Sequence, residues 1–230
     1  MNLKGIIHEF CGTSNIEFYM IHLEKAVERI PIIKDFFEKI NTELRVFNAV
    51  DGKALIESGH PTKCLDSTDT LISHRSAGDI GCVVSHVNIC KDALEKGYEY
   101  AVIFEDDVEM VSSLNSLDIG LRTFKYLNKE FDIFLLGGDP ILKSTNILGS
   151  AYSIIKGFNH THGYIINRKM MLRLIERYEE YCKMGLGYSI DGMYSKILNE
   201  NKENGYGFTR GRNHIRQKSG MYSYILEGVR

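Results

Sequence analysis

Residues 100–107, Tyr-Ala-Val-Ile-Phe-Glu-Asp-Asp, join a compact apolar run directly to three carboxylates. The β-branched and aromatic side chains of the run predict a buried strand over Tyr100–Phe104. Charged groups are costly in an apolar interior, so Glu105, Asp106 and Asp107 are expected at the end of that strand, where water or a cation stabilises them. Ligands of open α/β sheets bind at the carboxyl ends of the strands. The stretch therefore predicts a ligand site at this edge of the sheet.

Apolar runs of strand length recur on both sides of this stretch and alternate with helical patterns. The predicted strands are Glu17–Leu23, Arg45–Val50, Tyr100–Phe104, Phe131–Leu136 and Tyr164–Ile166, and the predicted helices are Glu24–Ile40, Ser76–Lys96 and a segment that follows Asn167. Ser76 and Asp79 form a variant of the capping box, and Gly97 is placed to end the same helix. Strands that alternate with helices predict an α/β domain with a mixed, mostly parallel sheet covered on both faces. Residues 53–75 show no period and are expected to form a long surface loop.

The composition indicates one ordinary soluble domain. A chain of 230 residues with 43% hydrophobic residues can bury one substantial core, so we expect residues 1–230 to form a single domain. A formal net charge of −2 gives no support to a nucleic-acid partner. We recognise neither a signal peptide nor an apolar run of membrane-spanning length, and the scattered cysteines, of which Cys82 and Cys90 are expected in the core, favour a reducing, cytoplasmic location. Basic residues near the C-terminus leave contact with a membrane surface as a further option.

The acidic run has the chemistry of a site for a hard divalent cation. Mg²⁺ and Mn²⁺ prefer oxygen ligands and are commonly held by one or two carboxylates, with phosphate oxygens and water in the other positions. In an extended chain, residues i and i+2 face the same side, so Glu105 and Asp107 are expected to face one ligand while Asp106 points away. From these three residues alone, a solvated turn is the equally open alternative.

Several histidines are candidates for the same site, each with a structural alternative. His86 is expected on the polar side of its helix, where it either reaches a ligand or is a satisfied structural histidine. His160 and His162 have the same-face spacing of a metal pair in a strand, although polar contacts explain two histidines more often. A basic stretch around His214 is either a lid over a diphosphate, at about residues 208–230, or a solvated tail. The basic residues of this stretch are Arg210, Arg212, Arg216 and Lys218.

Two blocks of the sequence form a recognisable pattern. The blocks are Gly81-Cys-Val-Val-Ser-His86 and Val102-Ile-Phe-Glu-Asp-Asp-Val108, with Ala93, Leu94 and Gly97 between them. They resemble the signature of the family 25 glycosyltransferases, which include bacterial lipooligosaccharide galactosyltransferases and collagen hydroxylysine galactosyltransferases. The resemblance continues in the right order at residues 20–23, 28–29, 47–52, 162–169 and 190–191 and at Gln217 and Ser219.

The resemblance implies a GT-A-like (Rossmann-like) fold, a UDP-galactose or UDP-glucose donor, dependence on Mn²⁺ or Mg²⁺, and inversion at the anomeric carbon. The matching positions imply donor contacts from His22, Arg29, Ser85, His86, Glu105, Asp106, Asp107 and Gln217. Glu105 and Asp107 then form a DxD-like metal motif. His162 and His214 are further candidate ligands of the metal. Asp191 occupies the acidic position of the family and is the candidate base, with a helix N-cap as its alternative role.

The sequence thus predicts an inverting, metal-dependent glycosyltransferase that moves a hexose from a UDP-sugar to a hydroxyl of a glycan, a lipooligosaccharide or a hydroxylysine. Two rival functions stay open. The family commonly has a Gly-Thr pair where this chain has residues 160–162, His-Thr-His, and a proline where it has Ile190. A nucleotide-sugar-binding module without turnover is therefore the first rival. A metal-dependent hydrolase that uses the carboxylates together with His160 and His162 is the second.

Overall fold

The structure, a computed structural model, describes residues 1–65, 71–74, 76–140, 145–147, 151–200, 203–209, 211–219, 222–223 and 228–229. The helices are α1 (Leu3–Cys11), α2 (Ile30–Ile40), α3 (Gly52–Glu57), α4 (Ala77–Glu95), α5 (Leu114–Lys125), α6 (Arg168–Lys183) and α7 (Ile190–Glu200). The strands are β1 (Ile16–His22), β2 (Arg45–Asn48), β3 (Lys63–Leu65), β4 (Leu71–His74), β5 (Tyr100–Glu105), β6 (Val108–Met110), β7 (Ile133–Pro140), β8 (Thr145–Ile147), β9 (Tyr152–Ile155), β10 (Phe158–Asn167), β11 (Gly205–Phe208), β12 (Ile215–Gln217), β13 (Tyr222–Ser223) and β14 (Gly228–Val229).

Within the described part of the chain, one mixed sheet has the strand order β2-β1-β5-β10-β7-β11-β9-β8. β1 lies parallel between β2 and β5, and β10 runs antiparallel between β5 and β7. β7 and β11 are parallel, whereas β9 is antiparallel to both of its neighbours. All strands of this sheet except β9 and β10 therefore share one direction. The predicted α/β fold with a mixed, mostly parallel sheet is confirmed.

Helices cover both faces of this sheet, and strand β5 shows how the sequence assigns side chains to each face. Val102 and Phe104 belong to one hydrophobic cluster, together with residues of α1, α2 and α5. Ala101 and Ile103 belong to the second cluster, together with residues of α4, α6 and α7. Successive side chains of a strand point to opposite faces, so a strand covered on both sides requires an uninterrupted apolar run. No helix that the structure describes is long and apolar enough to cross a membrane.

The predicted starts of the two longest helices are confirmed. At the start of α4, the Ser76 hydroxyl accepts a hydrogen bond from the backbone N–H of Asp79 at 3.1 Å. At the start of α6, the side chain of Asn167 accepts from the N–H of Met170 at 2.9 Å. Gly97, just beyond α4, has a left-handed φ of +79°. Each of these signals is local in the chain, which is why the sequence alone predicts it.

The helix predicted over Glu24–Ile40 begins later than expected. Val27–Arg29 forms a single 3₁₀ turn that buries Arg29, and α2 starts at Ile30 with Pro31 in its first turn. The proline ring fixes φ and supplies no N–H, which suits the first turn of a helix and disfavours the interior.

Helix α1 is absent from the sequence-based prediction. Its start is capped by the side chain of Asn2, which accepts from the N–H of Gly5, and it ends at Gly12 with a φ of +74°. A helix of nine residues is marginal in isolation, so packing against the sheet decides whether it forms. The buried residues of its inner face are Leu3, Ile6, Ile7 and Phe10.

The segment predicted as an irregular loop, residues 53–75, contains regular structure. Asp51 caps α3, because its carboxylate accepts from the N–H of Lys53 at 3.0 Å. The pair Asp51-Gly52 therefore starts a helix. β3 and β4 pair antiparallel within the segment. Residues 66–70 and 75 lie outside the described part of the chain.

The C-terminal part of the chain returns to the acidic run. β12 pairs antiparallel with β6, which directly follows the carboxylates, and the N–H of Lys218 donates to the backbone oxygen of Asp107 at 2.7 Å. Gly137 permits this approach, because a Cβ there would lie 2.2 Å from the backbone oxygen of Ile215. Residues 211–219, the described centre of the predicted lid, are therefore held against the sheet.

Candidate active site

A cavity of about 290 Å³, the first cavity, lies at the carboxyl ends of β1 and β5. Seven of the eight predicted donor-binding residues line it, namely Arg29, Ser85, His86, Glu105, Asp106, Asp107 and Gln217. The eighth, His22, reaches the cavity wall through its contact with Asp106. The folded chain thus brings together side chains from the segment after β1, from α4, from the end of β5 and from β12.

The backbone at the acidic run corrects the geometry expected from the sequence. β5 ends at Glu105, and Asp106 and Asp107 form a turn before β6. Strict alternation between two faces applies only to extended chain. Asp106 consequently does not point away from its neighbour, because both Asp106 and Asp107 contact the guanidinium of Arg29.

Asp106 and Arg29 form a buried ion pair at the base of the first cavity. His22 Nδ1 lies 2.8 Å from Oδ2 of Asp106, and Arg29 Nη1 donates to Oδ1. Asp106 is 4% exposed and Arg29 is 8% exposed. Burial disfavours the charged guanidinium, but the carboxylates of Asp106 and Asp107 outweigh burial and raise the pKa of Arg29. Since both oxygens of Asp106 have protein partners, this residue holds Arg29 in place.

Asp107, in contrast, keeps one carboxylate oxygen without a protein partner. Gln217 Nε2 donates to Oδ2 at 2.9 Å, and Arg29 Nη2 lies 3.4 Å from the same oxygen. Oδ1 is buried and has no hydrogen-bond partner. Burial and the charge of Glu105 raise the pKa of Asp107 above its ordinary value. A cation in the first cavity would satisfy this oxygen and reduce the repulsion between the two carboxylates.

Glu105 faces a group of polar side chains on the other side of the cavity wall. The Thr161 hydroxyl donates to Oε1, His86 Nε2 lies 3.6 Å from Oε1, and His162 Nδ1 lies 4.0 Å from Oε2. Burial opposes ionisation of this carboxyl, but the imidazoles of His162 and His86 prevail and lower the pKa of Glu105 well below its ordinary value. The carboxyl of Glu105 is therefore ionised at neutral pH.

His86 lies in the protein interior and not on the polar side of α4 expected from the sequence. The residue is 0% exposed, because α4 packs against the sheet and also contacts α6 and α7. Nδ1 lies 2.6 Å from the hydroxyl of Tyr164, which in turn accepts from the hydroxyl of Tyr194 at 3.2 Å. The ring is therefore fixed with Nε2 toward Glu105.

Ser85 fixes the chain that forms one wall of the first cavity. Its hydroxyl donates to the backbone oxygen of Gly81 at 2.6 Å and accepts from the N–H of Val50 at 2.8 Å. A Cβ at Gly81 would lie 2.4 Å from the backbone oxygen of Val50, so only glycine permits this contact. The resemblance implies that Ser85 contacts the donor. In the structure, the Ser85 hydroxyl holds the backbone that forms the cavity wall.

A second cavity of about 250 Å³ adjoins the first. It is lined by Asp79, Cys82, Glu105, Asn159, His160, Thr161, His162, Ser189, Ile190 and Asp191. Glu105 and Cys82 line both cavities, so they form the boundary between them. Asp191 belongs to the second cavity, in the first turn of α7. The Ser189 hydroxyl accepts from the N–H of Gly192 at 3.2 Å, and the Asp191 carboxylate accepts from the same N–H at 2.8 Å, so both residues cap the start of α7.

The order of these site segments along the chain has a counterpart among known proteins. The sequence profile described as "Glycosyltransferase family 25 (LPS biosynthesis protein)" matches residues 15–194. The chain belongs to glycosyltransferase family 25. The matched residues include the acidic run and Asp191, whereas Gln217 lies beyond them.

Relatives of this family 25 chain occur in animals and bacteria. A "Glycosyltransferase 25 family member" of Drosophila melanogaster is 26% identical over 172 residues, which cover 68% of this chain and 27% of that protein. "Procollagen galactosyltransferase 2" of Homo sapiens is 31% identical over 101 residues, 40% of this chain and 16% of that protein. "Lacto-N-neotetraose biosynthesis glycosyltransferase LgtB" of Neisseria meningitidis is 25% identical over 182 residues, 73% of this chain and 64% of that protein. The chain spans about a quarter of the length of the insect relative.

His160 and His162 of this family 25 chain both line the second cavity. The backbone between them is not the regular extended strand that the sequence analysis assumed. β10 has register breaks between Asn159 and Gly163, and His160 has a φ of +68°. The two rings are stacked with centroids 5.0 Å apart, and His162 is buried while His160 is exposed. His162 therefore faces Glu105, with Nδ1 4.0 Å from Oε2, and His160 stacks on the outer side of the His162 ring.

His214 lies away from the carboxylates of the family 25 site. Its ring packs edge-on against Phe208, with centroids 4.4 Å apart, and Nδ1 shares a hydrogen bond with the hydroxyl of Ser112. Burial lowers the pKa of His214 to about 4. The residue lines neither cavity, so it does not fit the metal-ligand role expected from the sequence. Arg210, of the same basic stretch, lies outside the described residues.

Cys82 is the site residue that the sequence analysis missed. It was expected in the core, as Cys90 is, but it is only partly buried and lines both cavities. The sequence contained a signal, because residues four apart share one face of a helix and Cys82 precedes His86 by four positions. Residues of the family 25 signature block on α4 thus meet the acidic run at the boundary of the two cavities.

Proposed function

We propose that this chain is an inverting, metal-dependent glycosyltransferase that moves galactose or glucose from a UDP-sugar to an acceptor hydroxyl. The observation that carries the proposal is the meeting of two cavities at Glu105. The first has the carboxylates and basic groups suited to a metal-bound diphosphate. The second contains Asp191 and is open to a second substrate.

Two features of the first cavity fit a divalent cation. Oδ1 of Asp107 is buried without a partner, and the ionised carboxylate of Glu105 lines the same cavity. Mn²⁺ and Mg²⁺ bind carboxylate oxygens together with phosphate oxygens and water. Glu105 and Asp107 would hold the ion. When bound, it supplies positive charge that stabilises the departing nucleoside diphosphate.

The protein's own groups orient the donor in this proposal. Lys25 and Arg29 line the first cavity and supply N–H donors for diphosphate oxygens, and in the structure they pair with Asp51 and Asp106. Asp106 keeps Arg29 in place through a buried ion pair, and Gln217 holds Oδ2 of Asp107. The free oxygen of Asp107 therefore has a fixed direction before the donor arrives.

Asp191 is the proposed base. In an inverting transfer, the acceptor oxygen attacks the anomeric carbon while the bond to the diphosphate breaks on the opposite face. The acceptor proton passes to a carboxylate on the acceptor side. Asp191 lines only the second cavity, which suits this position. Its carboxylate also accepts from the N–H of Gly192 at 2.8 Å, which restrains the side chain.

The names of the relatives support the substrate class. One is described as a procollagen galactosyltransferase and another as a glycosyltransferase of lacto-N-neotetraose biosynthesis. For this chain we propose a hydroxyl of a glycan, a lipooligosaccharide or a hydroxylysine as the acceptor. The polar wall of the second cavity, with His160, His162 and Asn159, suits a hydroxyl-rich acceptor.

The experiment is a donor turnover assay on the purified chain. UDP- and GDP-sugars are supplied with Mn²⁺ or with chelator, with and without a panel of acceptors, and free nucleoside diphosphate is measured together with the glycosylated product. We expect release from UDP-galactose or UDP-glucose that requires the metal and rises with one acceptor. UDP binding without release would instead support a binding module, and cleavage of phosphate esters without sugar transfer would support a hydrolase.

A further inference from the structure

Three potential metal ligands of different chemistry converge at the boundary between the two cavities. Sγ of Cys82, a ring nitrogen of His86 and a carboxylate oxygen of Glu105 all lie within 4.8 Å of one another. Within the described residues, no other group of three or more His, Cys, Asp or Glu side chains meets this criterion. Cys82 and His86 come from one face of α4, and Glu105 comes from the end of β5.

His86 presents an unpartnered nitrogen to this cluster. The residue is 0% exposed, and its Nε2 has no hydrogen-bond partner, although leaving a buried polar atom without a partner destabilises the folded state. Nε2 points toward Oε1 of Glu105 at 3.6 Å, which is too long for a hydrogen bond. A bound ion between the two groups would satisfy both.

The other nitrogen of His86 is held as in metal-binding histidines. Its Nδ1 lies 2.6 Å from the Tyr164 hydroxyl, in the protein interior. Metal-ligating histidines almost always use their second ring nitrogen for such a hydrogen bond, which fixes the ring and its tautomer. The contact leaves Nε2 free to act as a ligand.

We infer that Cys82, His86 and Glu105 form a binding site for a thiophilic transition-metal ion of the Zn²⁺ class. A sulfur, a nitrogen and an oxygen ligand suit Zn²⁺, whereas Mg²⁺ selects oxygen ligands alone. Three protein ligands leave a fourth position that opens into the cavities. The site is distinct from the oxygen ligands proposed for the diphosphate-bound cation, and it shares only Glu105 with them. The inference does not rest on the proposed transferase activity. Its test measures metal binding and needs no turnover.

The test uses Co²⁺ as a spectroscopic substitute for Zn²⁺ on the full chain. We expect one Co²⁺ per chain with a sulfur-to-metal charge-transfer band in the near ultraviolet, displaced by Zn²⁺ and retained in a large excess of Mg²⁺. Cys82→Ser should remove the band and weaken Zn²⁺ binding by at least about tenfold. Cys182→Ser, which changes a partly buried cysteine of α6 outside the cluster, should keep both. A wild-type spectrum without the sulfur band, or a band that survives in Cys82→Ser, would overturn the inference.

A second measurement needs no substitution and so does not depend on how a variant folds. Alkylation of individual cysteines in the wild-type chain is followed by mass spectrometry, with and without Zn²⁺. Zn²⁺ should slow the modification of Cys82 by at least about tenfold, because a thiolate bound to the metal reacts more slowly with the alkylating reagent. The modification rate of Cys182 should stay unchanged. Equal rates at Cys82 with and without Zn²⁺ would contradict the site even if Zn²⁺ bound elsewhere.

Discussion

Arg29 and Asp107 meet at the wall of the first cavity, with Nη2 of the guanidinium 3.4 Å from Oδ2 of the carboxylate. The contact holds one oxygen of Asp107 and leaves Oδ1 buried without a partner. In the neighbouring Asp106, each carboxylate oxygen already has a protein partner, Arg29 at Oδ1 and His22 at Oδ2. Two adjacent carboxylates therefore differ in their availability, and Asp107 is the one available to a ligand.

Asp107→Asn tests this difference. The amide keeps the size of the side chain but removes the negative charge at Oδ1, so metal-dependent donor turnover should fall by at least about 100-fold while the far-ultraviolet circular dichroism spectrum stays unchanged. Asp118→Asn is the matched control, because Asp118 is equally buried but lies on α5 and accepts from Arg122 at 3.0 Å. Normal metal-dependent turnover in Asp107→Asn would remove this residue from the site.

Asp191→Asn separates catalysis from donor binding. Asp191 lines only the second cavity, so kcat should fall by about 10²–10⁴-fold while the affinity for UDP stays constant. Steady-state kinetics and calorimetric titration with UDP measure the two effects. Asp79→Asn, which changes another carboxylate of the same cavity, should reduce kcat far less. A kcat of Asp191→Asn equal to that of the wild type would assign the base elsewhere.

Asp106→Ala should act on stability. The substitution leaves the buried guanidinium of Arg29 without its main partner, which typically costs about 3–5 kcal/mol of unfolding free energy. Asp35→Ala is the control, because its ion pair with Lys39, at 2.9 Å, is about half exposed and should contribute less than about 1 kcal/mol. Urea unfolding measures the unfolding free energy of both variants. Equal losses would show that the buried ion pair contributes no more to stability than the exposed one.

Gly81→Ala should disturb the wall of the first cavity. The new Cβ would lie 2.4 Å from the backbone oxygen of Val50, so the chain at Val50 or the start of α4 must move. We expect a loss of about 1–3 kcal/mol of unfolding free energy together with weaker UDP binding. Gly5→Ala, where the added Cβ meets only the flexible side chain of Asn2 at 3.2 Å, should leave UDP binding unchanged. Full UDP affinity in Gly81→Ala would mean that this wall does not contact the donor.

His214 should make stability depend on pH below neutrality. Burial lowers its pKa from 6.5 to about 4, so the neutral ring stabilises the folded chain above about pH 6.5, and this contribution is lost as the pH falls toward 4. One proton of this kind changes the unfolding free energy by at most about 1.4 kcal/mol per pH unit. Urea unfolding at about pH 7 and about pH 4.5 should show a smaller drop for His214→Gln than for the wild type. An equal drop would mean that His214 is already charged in the folded state.

The sequence by itself predicted five strands of the central sheet (β1, β2, β5, β7 and β10), the helices α2, α4 and α6, the caps of the two longest helices and the position of the acidic run at the end of β5. These features depend on side-chain periodicity and on hydrogen bonds between residues a few positions apart, such as Ser76 with Asp79. The family followed from the same local blocks. Short elements such as α1 escaped prediction, because their stability comes from packing and not from their own propensity.

The tertiary structure alone decided which groups face each other. The hydrogen bond from Gln217 to Asp107 joins residues 110 positions apart, and it exists because β12 pairs with β6. Glu105 comes close to His86 and Cys82 because α4 packs against β5, although Cys82 and Glu105 are far apart in the sequence. Contacts between distant segments decide which side chains are buried and which carboxylate oxygens lack a partner. Local patterns in the sequence therefore do not predict these features.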